Sequence, residues 1–115
     1  MGKININEYG LKAELSVYLF KEDDVFHAYS PELDIAGYDY TEEGAKKSFE
    51  VCLKEYIDFA LANGTLEADL LAHGWEKTKA GKVSAPRNFY LLKMPQVQRV
   101  LKKKEYCKYS VPMYL

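Results

Sequence analysis

Five carboxylates lie close together in residues 29–49, YSPELDIAGYDYTEEGAKKSF, and carboxylates are side chains that hold divalent metal ions. Two Mg²⁺ ions held in this way would support phosphodiester hydrolysis, because paired metals bind both the attacking and the leaving oxygen. With flanking acidic residues included, the candidate ligands of such a metal-dependent nuclease are Glu14, Asp34, Asp39 and Glu50.

The spacing of these residues argues against a shared metal. Glu14 lies on the polar face of a predicted strand, and Glu50 falls outside the apolar stripe of a predicted helix, so the two side chains do not converge. Asp34 and Asp39 flank a short segment in which aspartates commonly form turns. We therefore predict a non-catalytic protein with no metal site, no cofactor and no catalytic residue.

The first three elements are predicted to be strands. Residues 11–20 alternate apolar and polar side chains with a period of two, which is typical of a half-buried strand. A polar turn at residues 22–24 and the segment VFHAYS at residues 25–30 complete a hairpin. Pro31 ends the second strand, and residues 35–40 form a third.

The longest element is predicted to be a helix of about six turns. Its apolar residues recur at helical spacing and form one stripe. Thr41 is the predicted N-cap, Glu42 and Glu43 suit the positive end of the helix dipole, and Asn63 with Gly64 ends the helix. The residues of the stripe are Ala45, Phe49, Cys52, Leu53, Tyr56, Ile57, Ala60 and Leu61.

Shorter elements follow the long helix. A helix is predicted after Thr65 and ends at Gly74, followed by a brief strand at residues 75–78, a loop at 79–88 and a helix from Pro95 to about Lys104. Pro112 restricts the last strand to a sheet edge. The order predicts an α+β fold, in which one long helix covers a three-to-four-stranded, mostly antiparallel sheet.

Length and charge indicate one domain with two oppositely charged parts. A chain of 115 residues suits a single domain, residues 1–115. Residues 1–78 form an acidic core with 7 Lys/Arg against 16 Asp/Glu, a net charge of −9. Residues 79–115 form a basic extension with 9 against 1, a net charge of +8. Such asymmetry is typical of a charged interaction surface.

Composition and cysteine usage indicate a cytoplasmic protein. No uninterrupted apolar run exceeds four residues, which excludes both a membrane span and a secretory signal. Cys52 and Cys107 are far apart and lack metal-binding spacing, so we predict reduced thiols.

One constellation resembles the HicB family of antitoxins. It covers roughly residues 11–63, and its motif residues run from the second strand into the long helix: Tyr29, Ser30, Pro31, Glu32, Leu33, Asp34, Gly37, Tyr38, Thr41, Glu42, Glu43, Ala45, Ser48, Phe49 and Tyr56. The resemblance implies a truncated RNase H-like fold that binds and blocks a small RNA-cleaving toxin. It also implies a C-terminal ribbon-helix-helix or helix-turn-helix segment on operator DNA.

The sequence departs from the family pattern at two places. Gly44 occupies the third helical position, where the family often has a capping-box Glu, so we expect a helix start weaker by about 0.5 to 1 kcal/mol. Residues 89–104, interrupted by Pro95, are too few for an ordinary helix-turn-helix, and no ribbon-helix-helix fits the tail.

Two functions follow as hypotheses. The first is a HicB-like interaction module that forms a homo-oligomer and neutralises a small basic toxin, with an edge strand that carries Cys107, Tyr109, Val111 and Met113. The alternative is a nucleic-acid-binding regulator, because lysines and tyrosines are interleaved in the tail. Its candidate contacts are Lys93, Arg99, Lys102, Lys103, Lys104 and Lys108.

Overall fold

The chain folds as an α+β protein in which a long helix packs on an antiparallel sheet, as predicted. The computed structural model describes residues 12–77, 83–86, 88–103 and 105–114. In chain order the elements are β1 (Lys12–Glu22), β2 (Val25–Ser30), β3 (Ile35–Asp39), α1 (Glu42–Asn63), α2 (Leu66–Ala72), β4 (Glu76–Lys77), β5 (Val83–Ser84), α3 (Asn88–Leu91), α4 (Pro95–Leu101) and β6 (Tyr106–Tyr114).

The main sheet has the strand order β3-β2-β1-β6, and every neighbouring pair is antiparallel. Asp23 and Asp24 form the turn between β1 and β2 with φ of 53° and 65°. Two successive positive φ angles are typical of the two-residue hairpin turn whose twist matches that of the strands. This turn sets the register in which Phe20 lies opposite His27.

Helix α1 begins and ends at the predicted residues. The Thr41 side chain accepts a hydrogen bond from the Gly44 amide, which satisfies one of the free amides of the first turn. Gly64 has φ of 66° and ends the helix in the left-handed region. The predicted apolar stripe faces the sheet, where Phe49 is fully buried against Leu15 and Val17 in one hydrophobic cluster.

The opposite face of the sheet is covered by α4. Val97 and Val100 are buried there against the strand side chains that point away from α1, chiefly Tyr18, Phe20 and Tyr29. Strand side chains point alternately to the two faces, so β1 contributes to both cores. The sheet therefore lies between a long helix on one side and a short helix on the other.

The region after α1 differs partly from the prediction. Residues 83–84, predicted as loop, form β5 and pair with β4, and α3 also occupies the end of that segment. Strands of two residues are too short to produce a detectable period. Trp75 anchors this hairpin, because its indole N–H donates to the Glu32 carbonyl oxygen at 2.9 Å. Leu11, Lys104 and residues 78–82, to which the predictions also extended, lie outside the described residues.

The helices of the described segments are too short or too polar to cross a membrane.

Candidate functional site

Three of the five carboxylates of residues 29–49 accept hydrogen bonds from separate local partners. Glu32 is 3% exposed and accepts two hydrogen bonds, from the Ser16 amide at 2.7 Å and from the Ser30 hydroxyl at 3.1 Å. Pro31 follows the last residue of β2, so no β2 carbonyl lies opposite the Ser16 amide of β1. The Glu32 carboxylate accepts the hydrogen bond of that amide instead. Glu32 therefore completes the sheet at this point.

Asp34 and Asp39 have local partners as well. Asp34 has φ of 55° and accepts a hydrogen bond from the Tyr29 hydroxyl at 2.8 Å. Burial raises the pKa of Tyr29, and this hydrogen bond to Asp34 raises it further. Glu42 and Glu43 are exposed on the first turn of α1. Among the described residues, no group of three or more His, Cys, Asp or Glu side chains is arranged to hold a metal ion.

Asp39 supplies the carboxylate that Gly44 cannot provide at the start of α1. Its Oδ2 accepts hydrogen bonds from the Thr41 amide at 3.2 Å and the Thr41 hydroxyl at 2.8 Å. In a capping box, a Glu at the third helical position accepts the bond from the N-cap amide. Here Gly44 holds that position, and the carboxylate comes from two residues before the cap. These bonds lower the pKa of Asp39.

Strand β6 lies at an edge of the sheet, as Pro112 predicted. Within the described segments no strand pairs with its outer side, along nine residues. The opposite edge, β3, is shorter, and the Tyr38 amide on it donates to the Ser48 hydroxyl of α1 at 3.1 Å. Strand β6 therefore leaves a longer row of backbone groups without a neighbouring strand than β3 does.

The hydrogen-bond register identifies the β6 groups that face outward. Ser16 lies opposite Ser110, yet its amide points to Glu32, on the side away from β6. This pair is therefore a non-hydrogen-bonded pair, and the Ser110 amide and carbonyl face outward. Because the pattern alternates along the strand, the backbone groups of Lys108 and Pro112 also face outward. Pro112 has no N–H, and at this position the missing donor costs no hydrogen bond to β1.

The side chains predicted to form the oligomer edge contribute mainly to the protein's own core. Met113 is 2% exposed, and Tyr109 and Val111 pack partly buried against the cluster beneath α1. Burial raises the pKa of Tyr109, and the nearby Glu50 raises it further. Cys107 is exposed as a free thiol, whereas Cys52 is half-buried on α1. The open part of this edge is thus mostly backbone.

A groove of about 450 Å³ runs beside β6, between this strand and α1. Its floor is apolar, and its rim carries charges of both signs on α1. Lys54 and Asp58 on this rim form an exposed ion pair with an N–O distance of 2.5 Å. The lining residues are Glu50, Leu53, Lys54, Ile57, Asp58, Val111, Pro112 and Met113.

The cations predicted to contact nucleic acid are partly used within the fold. Lys103 lies 2.7 Å from one carboxylate oxygen of Glu22, and Arg99 lies 4.0 Å from the other. The hydrogen bond from Lys103 is the main cause of a lowered Glu22 pKa. Lys108 lies 5.6 Å from the ring centre of Tyr18, and Lys102 is exposed at the end of α4. Two of these cations are therefore paired with Glu22, and a third lies over an aromatic ring of β1.

No family model, curated protein or solved structure matches this chain. The resemblance to the HicB family accordingly stays a prediction from the residues of the strand-turn-helix segment.

Proposed function

We propose that this protein is a non-catalytic interaction module that dimerises through β6 and, as a HicB-like antitoxin, neutralises a small RNA-cleaving toxin in the cytoplasm. The observation that carries the dimer is the nine-residue edge strand, whose outward amides and carbonyls have no strand beside them in the described segments. Unpaired strand edges favour addition of another strand.

A second copy of the chain suits this edge. Two antiparallel β6 strands related by a two-fold axis at Ser110 would exchange the outward amide and carbonyl groups of that residue. The same axis would join two four-stranded sheets into one and leave no open β6 edge, so the assembly closes as a dimer.

The charges beside the edge also suit self-association. Glu50, Lys54 and Asp58 lie on the rim of the groove between α1 and β6. An isologous contact places the same patch against itself, so Lys54 of one copy can approach the carboxylates of the other. The apolar floor, with the half-buried Ile57, adds surface that dimerisation would remove from water.

A proline substitution tests the dimer. We expect light scattering at tens of micromolar to give the mass of a dimer, a concentration suited roughly to specific interfaces. Ser110→Pro removes the central outward amide and leaves the bonds to β1 intact. Dimerisation should weaken about thirtyfold, from roughly 1 kcal/mol for each of two lost hydrogen bonds. Circular dichroism should show an unchanged fold.

Ser110→Ala is the matched control, because it removes the hydroxyl and keeps the amide. It should dimerise like the parent chain. A monomeric parent chain, or equal weakening by the alanine and proline variants, would reject the β6 interface.

The toxin-binding part of the proposal is supported by the acidic core and by the resemblance described above. Residues 1–78 carry a net charge of −9, which attracts a basic partner and accelerates its binding. Both cysteines are free thiols, in keeping with a reducing cytoplasm. No carboxylate-bound metal or catalytic group is needed for such a blocking role.

Co-purification followed by an activity assay tests toxin binding. We expect the tagged chain to recover a small basic protein from its native cell, and the separated protein should cleave RNA. Adding the purified chain back in equal amounts should abolish that cleavage. Recovery of the homodimer alone, or of a protein whose RNA cleavage persists after the chain is added, would argue against the antitoxin role.

A further inference from the structure

A cleft of about 350 Å³ lies on the sheet face opposite α1, where α4 leaves the β3 side of the sheet uncovered. Its volume falls within the range of small-molecule sites. Strands β1 to β3 form one wall, and Gln96 and Arg99 of α4 form the other. This cleft is separate from the β6 edge and plays no part in the proposed dimer.

The strand wall carries a row of three rings from neighbouring strands. Phe20, His27 and Tyr38 are direct cross-strand neighbours in the register of β1, β2 and β3. The rings of Phe20 and His27 stack with centroids 5.0 Å apart, and His27 meets Tyr38 edge-on at 4.8 Å. Phe20 is buried, but Tyr38 is 56% exposed. The row therefore ends in a ring that packs against His27 and keeps open surface.

Tyr38 is held in place from both faces of the sheet. Its amide donates to the Ser48 hydroxyl of α1, and its ring packs against His27. A ring that already packs against a neighbour loses less conformational entropy than a free ring when a planar ligand stacks on it. Single exposed tyrosines are common, but an exposed tyrosine buttressed over a cleft is suited to stacking.

The opposite wall supplies a cation. Arg99 is 65% exposed, and its Nη1 lies 4.0 Å from Glu22, a long contact. Glu22 is already bound by Lys103 at 2.7 Å on its other oxygen, so the Arg99 guanidinium retains donors for a ligand. A guanidinium matches phosphate oxygens in a bidentate geometry.

The remaining polar groups suit a ring with donors and acceptors on its edge. Gln96 carries both a donor and an acceptor one turn from Arg99. Asp34 lies in the cleft wall and is oriented by the Tyr29 hydroxyl at 2.8 Å. A simple hydrocarbon ring would offer these groups no hydrogen bond. A nucleobase would satisfy them.

We propose that this cleft binds a mononucleotide, with the base stacked on Tyr38 and the phosphate paired with Arg99. The ligand class follows from the combination of an exposed buttressed ring, a cation on the facing wall, and amide and carboxylate groups between them. The protein would then bind a small molecule at a site separate from the β6 surface through which it dimerises.

Calorimetric titration of the full chain with purine and pyrimidine nucleoside monophosphates tests the site. Saturable binding of at least one nucleotide is expected, with much weaker binding of the unphosphorylated nucleoside and of inorganic phosphate. Tyr38→Ala should weaken binding about tenfold or more, because stacking of a base on an aromatic ring is lost. Arg99→Gln should weaken binding of the nucleotide and leave that of the nucleoside unchanged.

Each variant has a matched control outside the cleft. Tyr40 is 79% exposed two residues after Tyr38, and Lys102 is exposed at the end of α4; neither lines the cleft. Tyr40→Ala and Lys102→Gln should bind nucleotide like the parent chain, and thermal unfolding should show all four variants folded.

Three results would overturn the proposal. These are no saturable binding at millimolar nucleotide, equal weakening by the cleft and control variants, or binding that is seen only with single-stranded oligonucleotides. In the last case an affinity that falls steeply with salt would indicate nucleic-acid binding by the basic segment instead.

Discussion

Gly37→Ala is expected to destabilise the protein by about 3 kcal/mol or more, because the added methyl group would overlap the backbone of α1. A Cβ built on Gly37 lies 2.2 Å from the Phe49 amide nitrogen and 2.7 Å from both Phe49 Cα and the Ser48 carbonyl carbon. Backbone atoms cannot turn away as a side chain can, so the helix would have to move off the sheet. Chemical denaturation of both proteins measures the difference.

Gly64→Ala is the control for this substitution. Gly64 has φ of 66° at the exposed end of α1, where alanine is strained. We expect a loss of about 1 kcal/mol from backbone strain alone. If Gly37→Ala cost no more than Gly64→Ala, the close approach of helix and strand would be contradicted.

The elements that the sequence predicts well are those defined by local patterns. The bounds of β2 agree residue for residue with the segment VFHAYS, and α1 begins after Thr41 and ends before Gly64. Alternation, helical periodicity and capping chemistry act between residues that are close in the chain. They can therefore be read without knowing what packs against the element.

The start of α1 illustrates where local rules are insufficient. The sequence predicts a weaker start for this helix, because Gly44 replaces a capping Glu. A Cβ on Gly44 would lie 1.7 Å from Asp39 Oδ2, the oxygen that binds Thr41. Glycine thus leaves room for the carboxylate that does the capping. The distance between Gly44 and the Asp39 carboxylate depends on how the chain turns from β3 into α1. Helix propensities of single residues do not describe that turn.

The register of the hairpin depends on a turn that is one residue shorter than the predicted turn at residues 22–24, because Glu22 belongs to β1 and pairs with Val25. A two-residue turn at Asp23 and Asp24 places Phe20 opposite His27, so two members of the ring row in the cleft follow from the turn type. The cleft itself does not follow, because it depends on where α4 docks. That helix is separated from the hairpin by most of the chain, and its Val97 and Val100 packing is long-range.

The candidate metal ligands separate for a similar reason. Nothing in the composition of residues 29–49 distinguishes Glu32 from its four acidic neighbours, and it was not among the four candidate ligands. The structure makes Glu32 the buried carboxylate of this group, through a contact with Ser16 that spans sixteen residues. Pro31 is the one local hint, because proline ends the strand, and the backbone groups of the neighbouring strand beyond that point must find other partners.

Glu32→Ala is accordingly expected to cost about 3 kcal/mol of folding free energy, since hydrogen bonds to a charged acceptor are the stronger kind and the Ser16 amide would be left without its acceptor. The Ser30 hydroxyl would lose its bond as well. Both groups lie at the junction of β1 and β2, beside the carbonyl that binds Trp75, so hydrogen exchange of the Ser16 amide should accelerate together with the loss of stability.

Glu32→Gln separates the hydrogen bonds from the charge. The amide keeps the shape of the side chain, so its oxygen can accept from Ser16 and its nitrogen can donate to the Ser30 hydroxyl. We expect this variant to lose only about 1 kcal/mol, the difference between a charged and a neutral acceptor. Similar losses for the two variants would mean that the charge, and not the pair of hydrogen bonds, is what this junction requires. A negligible loss for Glu32→Ala would mean that the Glu32 carboxylate does not stabilise the junction of β1 and β2.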